Sequence, residues 1–137
     1  MIAVDTSVVI AAFAPWHEDH DAAMKSMRRR PHLPAHCGLE SYATLTRLPE
    51  PFRAAATVAA DYLSRRFGKR WLIPPADSLM GLPVILAEAG IPGGASYDGL
   101  VAFTAREHGA TLHTLDRRAE STYRALGVRY ELIGGPG

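Results

Sequence analysis

The chain has 137 residues, 47% of them hydrophobic, which is enough to bury the core of one compact domain over 1–137. A charged fraction of 21% and a formal net charge of +1 exclude a strongly basic protein, so any contact with nucleic acid must be a local patch. The single cysteine cannot form an internal disulfide, which favours a reducing, cytoplasmic setting. No run of about 18 apolar residues occurs, so we expect no membrane span.

The first half of the chain alternates short apolar runs with amphipathic segments. The run at 2–5 is apolar, β-branched and too short for a helix, so it predicts a buried strand. Thr6 or Ser7 is expected to cap the helix that follows, and Pro15 to end it. The predicted elements in order are a strand at 2–5, helices at 6–14 and 17–30, a strand at 32–37, helices at 39–48 and 52–68, and a strand at 71–74.

The second half continues the alternation. The predicted elements are a helix at 77–90 kinked at Pro83, a helix at 96–109 capped by Ser96, a strand at 110–116, a helix at 117–127 and a strand at 128–133. Strands that alternate with helices indicate an α/β domain, in which a mostly parallel sheet lies between two helical layers. We therefore predict a three-layer α/β/α fold.

Four acids follow the predicted strands in a way that suggests a common site. Asp5 ends the first strand and Asp116 ends the strand at 110–116. Glu40 and Asp98 fall in the first turn of helices that leave the same edge of the sheet. Because ligands bind at the carboxyl ends of parallel strands, we expect all four side chains to face one crevice.

Each acid alone has a simpler interpretation as a charge at a helix N-terminus. That interpretation suits Asp98 and Asp116, but Asp5 less well, because the two hydroxyl residues after it already offer capping groups. Two carboxylates about 4 Å apart repel by roughly 4 kcal/mol at an effective dielectric constant near 20, so four of them require a counter-charge. A hard divalent cation with oxygen ligands, Mg²⁺ or Mn²⁺, meets that requirement best.

The segments that carry these acids resemble the PIN-domain ribonucleases, and most of all the VapC-type toxins of bacterial toxin–antitoxin pairs. The resemblance rests on VDTSVVIAAF at 4–13, LESYATLTRLP at 39–49 and YDGLVAFTAREHGATLHTLDRRAESTYRALGV at 97–128. The acids occur in the order found in that family, each in its expected local context. The resemblance implies that the catalytic, metal-binding residues are Asp5, Glu40, Asp98 and Asp116, with Asp5 and Asp98 as direct ligands of the tighter ion.

The activity implied by the resemblance is a Mg²⁺-dependent endoribonuclease, with Mn²⁺ as the other possible cation and one or two ions in the site. Thr6 and Ser7 are expected to orient a carboxylate, and Thr114 to accompany Asp116. Arg117, next to Asp116, is expected at RNA phosphates. The implied partners are transfer or ribosomal RNA, a protein antitoxin that docks an arginine or lysine among the acids, and a second copy of the chain in a homodimer.

Two other classes of protein are alternative interpretations of this sequence. A catalytically silent PIN-like module that binds proteins is the alternative function, although four retained acids argue against it. A phosphate-accepting receiver-like domain also has clustered acids, but it requires a lysine at a late strand end, and no late strand predicted here ends that way. Trp16 and Trp71 are interpreted as packing or interface residues rather than as platforms for stacked bases.

Overall fold

The computed structural model describes residues 1–135, so the last two residues of the predicted domain lie outside it. Its strands are β1 (Ile2–Val4), β2 (Leu33–Pro34), β3 (Trp71–Leu72), β4 (Thr111–Thr114) and β5 (Tyr130–Leu132). Its α-helices are α1 (Thr6–Phe13), α2 (His20–Met27), α3 (Ala35–Arg47), α4 (Ala56–Phe67), α5 (Ala76–Met80), α6 (Leu82–Glu88), α7 (Ala95–Glu107) and α8 (Glu120–Ala125). A short 3₁₀ turn, Arg117–Ala119, precedes α8.

The strands form one parallel arrangement. β1 pairs with β4 and β4 with β5, while β2 pairs with β3, and all these pairs are parallel. A bridge between Ala3 and His32 joins the two groups, with hydrogen bonds from Val4 N to His32 O (3.1 Å) and from His32 N to Ile2 O (2.8 Å). The order across the sheet is therefore β3-β2-β1-β4-β5.

The helices cover both faces of this sheet. The chain moves from β1 towards β2 and β3, and later from β4 towards β5 in the opposite direction. Because such crossovers are right-handed, the two sets of connecting helices lie on opposite faces. Accordingly, α1 packs on α2 and α3, and α3 on α4, whereas α7 packs on α6 and α8. The predicted three-layer α/β/α fold is confirmed, and the strand order reverses between β1 and β4, where ligand sites form in such sheets.

The core lies between the central strands and these helices. Val4 of β1 and Leu112 of β4 are fully buried, as are Phe67 of α4 and Phe103 of α7. Each such side chain contributes about 1.5–3 kcal/mol by leaving water, which fixes the strand ends relative to the helices. Within residues 1–135, no helix is both long enough and apolar enough to cross a bilayer.

The second strand is shorter than predicted. It ends at Pro34, and α3 begins at once with Ala35, so the prediction of a strand at 32–37 is wrong beyond its third residue. Gly38, which directly follows the predicted strand, is inside α3, where a Cβ would clash with the ring of Trp71. Glu40 consequently lies in the second turn of α3, not in the first turn of a helix that follows a loop.

The helix predicted at 77–90 is two helices, and the break is not at Pro83. α5 ends before Gly81 and α6 starts after it, so Pro83 occupies the second position of α6. A proline there loses no hydrogen bond, because the first N–H groups of a helix have no partner within it. The helix predicted at 52–68 likewise begins later, at Ala56.

Candidate active site

Asp5 is held at the end of β1 by contacts to both of its carboxylate oxygens. Its Oδ1 accepts hydrogen bonds from the backbone N–H of Ser7 (3.0 Å) and from the Ser7 hydroxyl. Its Oδ2 accepts a hydrogen bond from the hydroxyl of Tyr123 at 2.7 Å. Only 4% of Asp5 is exposed, and this burial raises its pKa even though the hydrogen bonds oppose the rise. Asp5 therefore has a fixed orientation.

Asp5 is also the N-cap of α1, which corrects the expectation that Thr6 or Ser7 would fill that position. The cap bond is the one from the Ser7 N–H, so the hydroxyl of Ser7 remains available for other contacts. The same correction applies to α7, which begins at Ala95, so Ser96 lies within its first turn instead of capping it. Helix capping and membership of an acidic site are thus not alternatives for Asp5.

Two hydroxyl groups connect β1 to the end of β4. The Ser7 Oγ accepts a hydrogen bond from the backbone N–H of Leu115 (2.8 Å) and lies 3.5 Å from the Thr114 Oγ1. Thr114, which is fully buried, in turn accepts a hydrogen bond from the Asp116 N–H at 3.0 Å. These bonds fix the position of Asp116 relative to Asp5.

Asp116 caps the short 3₁₀ turn that follows β4. Its Oδ1 accepts a hydrogen bond from the N–H of Arg118 at 3.0 Å, and the Arg118 Nε lies 3.7 Å from the same oxygen. The helix-capping interpretation of Asp116 is therefore correct as far as its Oδ1 is concerned.

The other two acids come from helices on opposite faces of the sheet, α3 and α7, which pack against each other. Glu40 Oε2 lies 3.6 Å from His36 Nε2, one turn earlier on α3. Asp98 lies in the first turn of α7, half-buried. Burial is the main reason that the pKa of Asp98 rises to about 6, and repulsion from the other three acids adds to it, with Arg118 opposing.

The structure brings all four predicted acids to one place. Together they line a cavity of about 40 Å³, which is room for a single water or ion. The residues lining this cavity are Asp5, Thr6, Ser7, Cys37, Glu40, Asp98, Val101, Asp116 and Tyr123. A larger groove of about 540 Å³ shares five of these residues and gives access from the surface. The site lies where the strand order reverses.

The donor chemistry of the cavity fits a hard cation. Carboxylates dominate the lining, and the Thr6 Oγ1 is buried without a hydrogen-bond partner among the described residues. No group of three or more His, Cys, Asp or Glu side chains within residues 1–135 already has the geometry of a metal site. The residues that would hold a cation in this cavity are Asp5, Glu40, Asp98 and Asp116.

The two arginines after Asp116 occupy different places. Arg118 lines the acidic groove, whereas Arg117 lines a neighbouring pocket of about 690 Å³ together with Glu18 and Asp19. Arg117, the residue expected at RNA phosphates, is therefore not among those that line the groove. Asp116 and Arg118 line both pockets, whereas Arg117 lines the larger pocket but not the groove.

Tyr123 also lines the cavity, although it was not among the site residues predicted from the sequence. Its side chain is 1% exposed, and both burial and the adjacent Asp5 raise its pKa, so it remains a hydrogen-bond donor to that carboxylate. A signal was present, because Ala119, Tyr123 and Leu126 recur at the spacing of one helix face, and all three are buried. A buried tyrosine hydroxyl requires a polar partner.

Comparison with known proteins shows the family to which the chain belongs. The PIN domain family matches residues 2–125, which is most of the chain. The chain therefore belongs to the PIN-domain family. Among its relatives it is 48% identical to Ribonuclease VapC40 of Mycobacterium tuberculosis over 133 residues, 97% of this chain and 99% of that protein. It is 42% identical to Ribonuclease VapC27 of the same organism over 128 residues, 93% of each chain.

Solved structures of the same fold include two at lower sequence identity. The structure of FitAB bound to the IR36 DNA fragment superposes with a TM-score of 0.69 and 22% identity, covering 96% of this chain and 94% of that one. The crystal structure of FitAcB from Neisseria gonorrhoeae gives the same TM-score at 19% identity, covering 95% and 96%. At such identities the similarity establishes the fold alone.

Proposed function

We propose that this protein is a Mg²⁺-dependent endoribonuclease, with Mn²⁺ as the other possible cation, and the toxin of a type II toxin–antitoxin pair. The observation that carries the proposal is the convergence of four acids from four different elements on one small cavity. The similarity to two proteins named as ribonucleases, over nearly the whole chain, supports RNA as the substrate. The RNA classes we propose are transfer RNA and ribosomal RNA.

The acids have distinct expected roles towards the cation. Asp5 is fixed by Ser7 and Tyr123, and its Oδ2 retains a lone pair for a ligand. The pKa of Asp98 is raised first by its burial and then by repulsion from the other three acids, and a cation would relieve that repulsion. Glu40 and Asp116 complete the set. A bound cation supplies positive charge at the scissile phosphate and a more acidic attacking water.

The remaining residues of the site position these acids. Ser7 bridges Asp5 and the Leu115 N–H, so it fixes β1 against β4. Thr114 orients Asp116 through its backbone. Arg118 lines the groove and supplies a positive charge for an RNA phosphate. The site thus combines the carboxylate of Asp5, which is held through both oxygens, three further carboxylates and the guanidinium of Arg118 at its rim.

The experiment is a cleavage assay on labelled structured RNA, with Mg²⁺, with Mn²⁺ and with EDTA. We expect cleavage that EDTA abolishes and that Asp5→Asn or Asp98→Asn reduces about 100-fold or more, because each replaces a charged ligand by a neutral one. Asp61→Asn is the matched control, since Asp61 only pairs with Arg65 on the surface. A protein without activity in any cation would instead be a silent protein-binding module. If the protein does cleave RNA, mapping the cleaved ends in cellular RNA identifies its substrate.

The proposed partners follow from the same site. A protein antitoxin could neutralise the carboxylates with an arginine or lysine. An arginine suits this role because its guanidinium forms bidentate hydrogen bonds with a carboxylate. We also propose a homodimer, the commonest closed assembly, and action in a reducing cytoplasm, which suits the free, buried Cys37. Co-purification with the product of a neighbouring gene tests the first partner, and light scattering at micromolar concentration tests the second.

A further inference from the structure

Three aromatic rings form a row that reaches from the surface into the acidic groove. The ring centroids of Phe52 and Trp16 are 4.5 Å apart at an interplanar angle of 45°. The centroids of Trp16 and His17 are 6.3 Å apart at 35°. His17 lines the groove together with three of the acids. The row therefore connects an exposed hydrophobic surface to the candidate active site.

Trp16 packs against Phe52 but is only partly covered by the protein. It is 52% exposed, and its neighbour Phe52 is 43% exposed, so neither ring is covered by the core. Trp71 is also partly exposed, at 37%, but its ring packs closely against Gly38 of α3. An indole that is half in water beside a functional groove has ring surface accessible to a ligand.

The charges that line the groove indicate which kind of contact an RNA strand would need there. The charged residues lining it are Glu18, Asp19, Glu40, Asp98 and Asp116 on the acidic side, and Arg47 and Arg118 on the basic side. Phosphate contacts normally provide most of the affinity for RNA, but this lining offers few of them. An RNA strand in the groove therefore requires contacts to its bases.

We propose that Trp16 stacks on an unpaired base of the RNA strand whose phosphodiester enters the acidic groove. This inference rests on the proposed ribonuclease function and adds a substrate-binding residue to it. Stacking on aromatic rings is the usual way in which proteins hold splayed bases of single-stranded RNA, and it tolerates different bases. His17 extends the row towards the acids, so the stacked base and the phosphate in the groove belong to neighbouring parts of one strand.

The test uses the fluorescence of Trp16 itself. The chain has two tryptophans, so Trp71→Phe leaves Trp16 as the single emitter. Asp98→Asn in the same protein keeps the RNA intact in Mg²⁺. The probe is a single-stranded RNA of mixed sequence and about 12 nucleotides, within the range of site sizes for single-strand binding. We expect the RNA to quench Trp16 on binding, because a stacked base contacts the indole directly.

Substitutions at Trp16 then separate stacking from a structural role. Binding by the Trp16 variants is followed by the fluorescence anisotropy of a labelled RNA, and Trp16→Ala should weaken it about 10-fold. Trp16→Tyr should retain most of the affinity, whereas Trp16→Leu, apolar but unable to stack, should behave like the alanine variant. Met80→Ala is the control for loss of an exposed apolar side chain, since Met80 is 73% exposed and does not line the groove, and it should bind as the parent does. Urea unfolding of each variant verifies that it is folded.

Several outcomes overturn the inference. Unchanged RNA affinity in Trp16→Ala, in a protein that cleaves RNA, would reject stacking and leave the proposed function intact. Equal RNA affinities of Trp16→Leu and Trp16→Tyr would also reject stacking. If Trp16→Ala weakened only the binding of a co-expressed antitoxin, the aromatic row would be a protein-docking surface. If no variant bound RNA, the proposed function would fail together with this inference.

Discussion

The hydroxyl of Tyr123 donates a 2.7 Å hydrogen bond to the Oδ2 of Asp5, and this contact joins residues 118 positions apart in the chain. The other oxygen of Asp5 is held by Ser7, so the carboxylate is fixed from two sides. A buried carboxylate is costly without such partners. The hydrogen bond from α8 therefore stabilises an acid of the candidate site that would otherwise resist burial.

Removing this hydroxyl should destabilise the protein. Tyr123→Phe leaves the ring in place but deprives Asp5 of a donor, so we expect a loss of about 1.5–3 kcal/mol in the free energy of unfolding, measured in urea at neutral pH. Tyr130→Phe is the matched control. The Tyr130 hydroxyl contacts Glu120 and Arg124 near the surface, where a lost hydrogen bond costs less. Equal losses in the two variants would contradict the importance of the Asp5 contact.

The pKa of Asp98 predicts a pH dependence. Burial and the neighbouring acids raise it from 3.8 to about 6, so the folded protein holds a proton at pH values where the unfolded chain has lost it. The stability gained from that proton is fully present below the unfolded pKa and is lost as the pH rises through about 6. In EDTA, we expect wild type to lose stability relative to Asp98→Asn between about pH 4 and pH 6. Asp61→Asn should instead parallel wild type; a constant difference between wild type and Asp98→Asn would argue against the raised pKa.

A divalent cation should stabilise the wild-type protein. In EDTA, Asp98→Asn should melt at a higher temperature than wild type, because it removes one of the mutually repelling charges. Asp116→Asn should raise the melting temperature less, because Arg118 already offsets part of the charge of Asp116. The asparagine can still cap the 3₁₀ turn that follows β4. Mg²⁺ at about 100 times its Kd should add about 2.7 kcal/mol to wild type and less to either variant. If Mg²⁺ did not change the melting temperature of the wild type, the result would count against a cation site.

Arg118 should contribute more to RNA binding than Arg117. Arg118 lines the groove that contains the acids, while Arg117 lines the pocket beside it. We expect Arg118→Ala to lower the slope of log affinity against log salt by about 1, as the loss of one phosphate contact should, and Arg117→Ala to lower it less. Fluorescence anisotropy over a salt series measures both slopes. The reverse order would place the RNA strand in the neighbouring pocket.

The elements that define the fold could be predicted because local sequence determines them. The apolar, β-branched run before Asp5 and the run before Asp116 are buried strands, and the helical segments between them have one apolar face. The alternation of strands and helices was then enough to predict a parallel sheet between helices. The convergence of the acids followed from the rule that ligands bind at strand ends.

The errors have physical causes that lie outside local sequence. β2 is only two residues long because α3 begins directly after it, and Gly38 of that helix packs against Trp71, a residue more than thirty positions later. The cap of α1 was assigned to a hydroxyl residue, although Asp5 performs that role as well as facing the cavity. The contact of Tyr123 with Asp5 depends on how α8 docks against β1, which no local pattern encodes. Similarly, the 3₁₀ turn after Asp116 determines which of the two arginines lines the groove.

The pairing of the first strand with β4, near the end of the chain, has a consequence for synthesis on the ribosome. A nascent chain that ends before β4 contains Asp5 and Glu40 but lacks the strand that Ser7 joins to β1. It also lacks Tyr123, which anchors Asp5. Contacts between distant parts of a chain form late during folding, since the loop between them must close first. The four acids can therefore be assembled only after β4 and α8 have been synthesised, so a shorter nascent chain lacks the complete site.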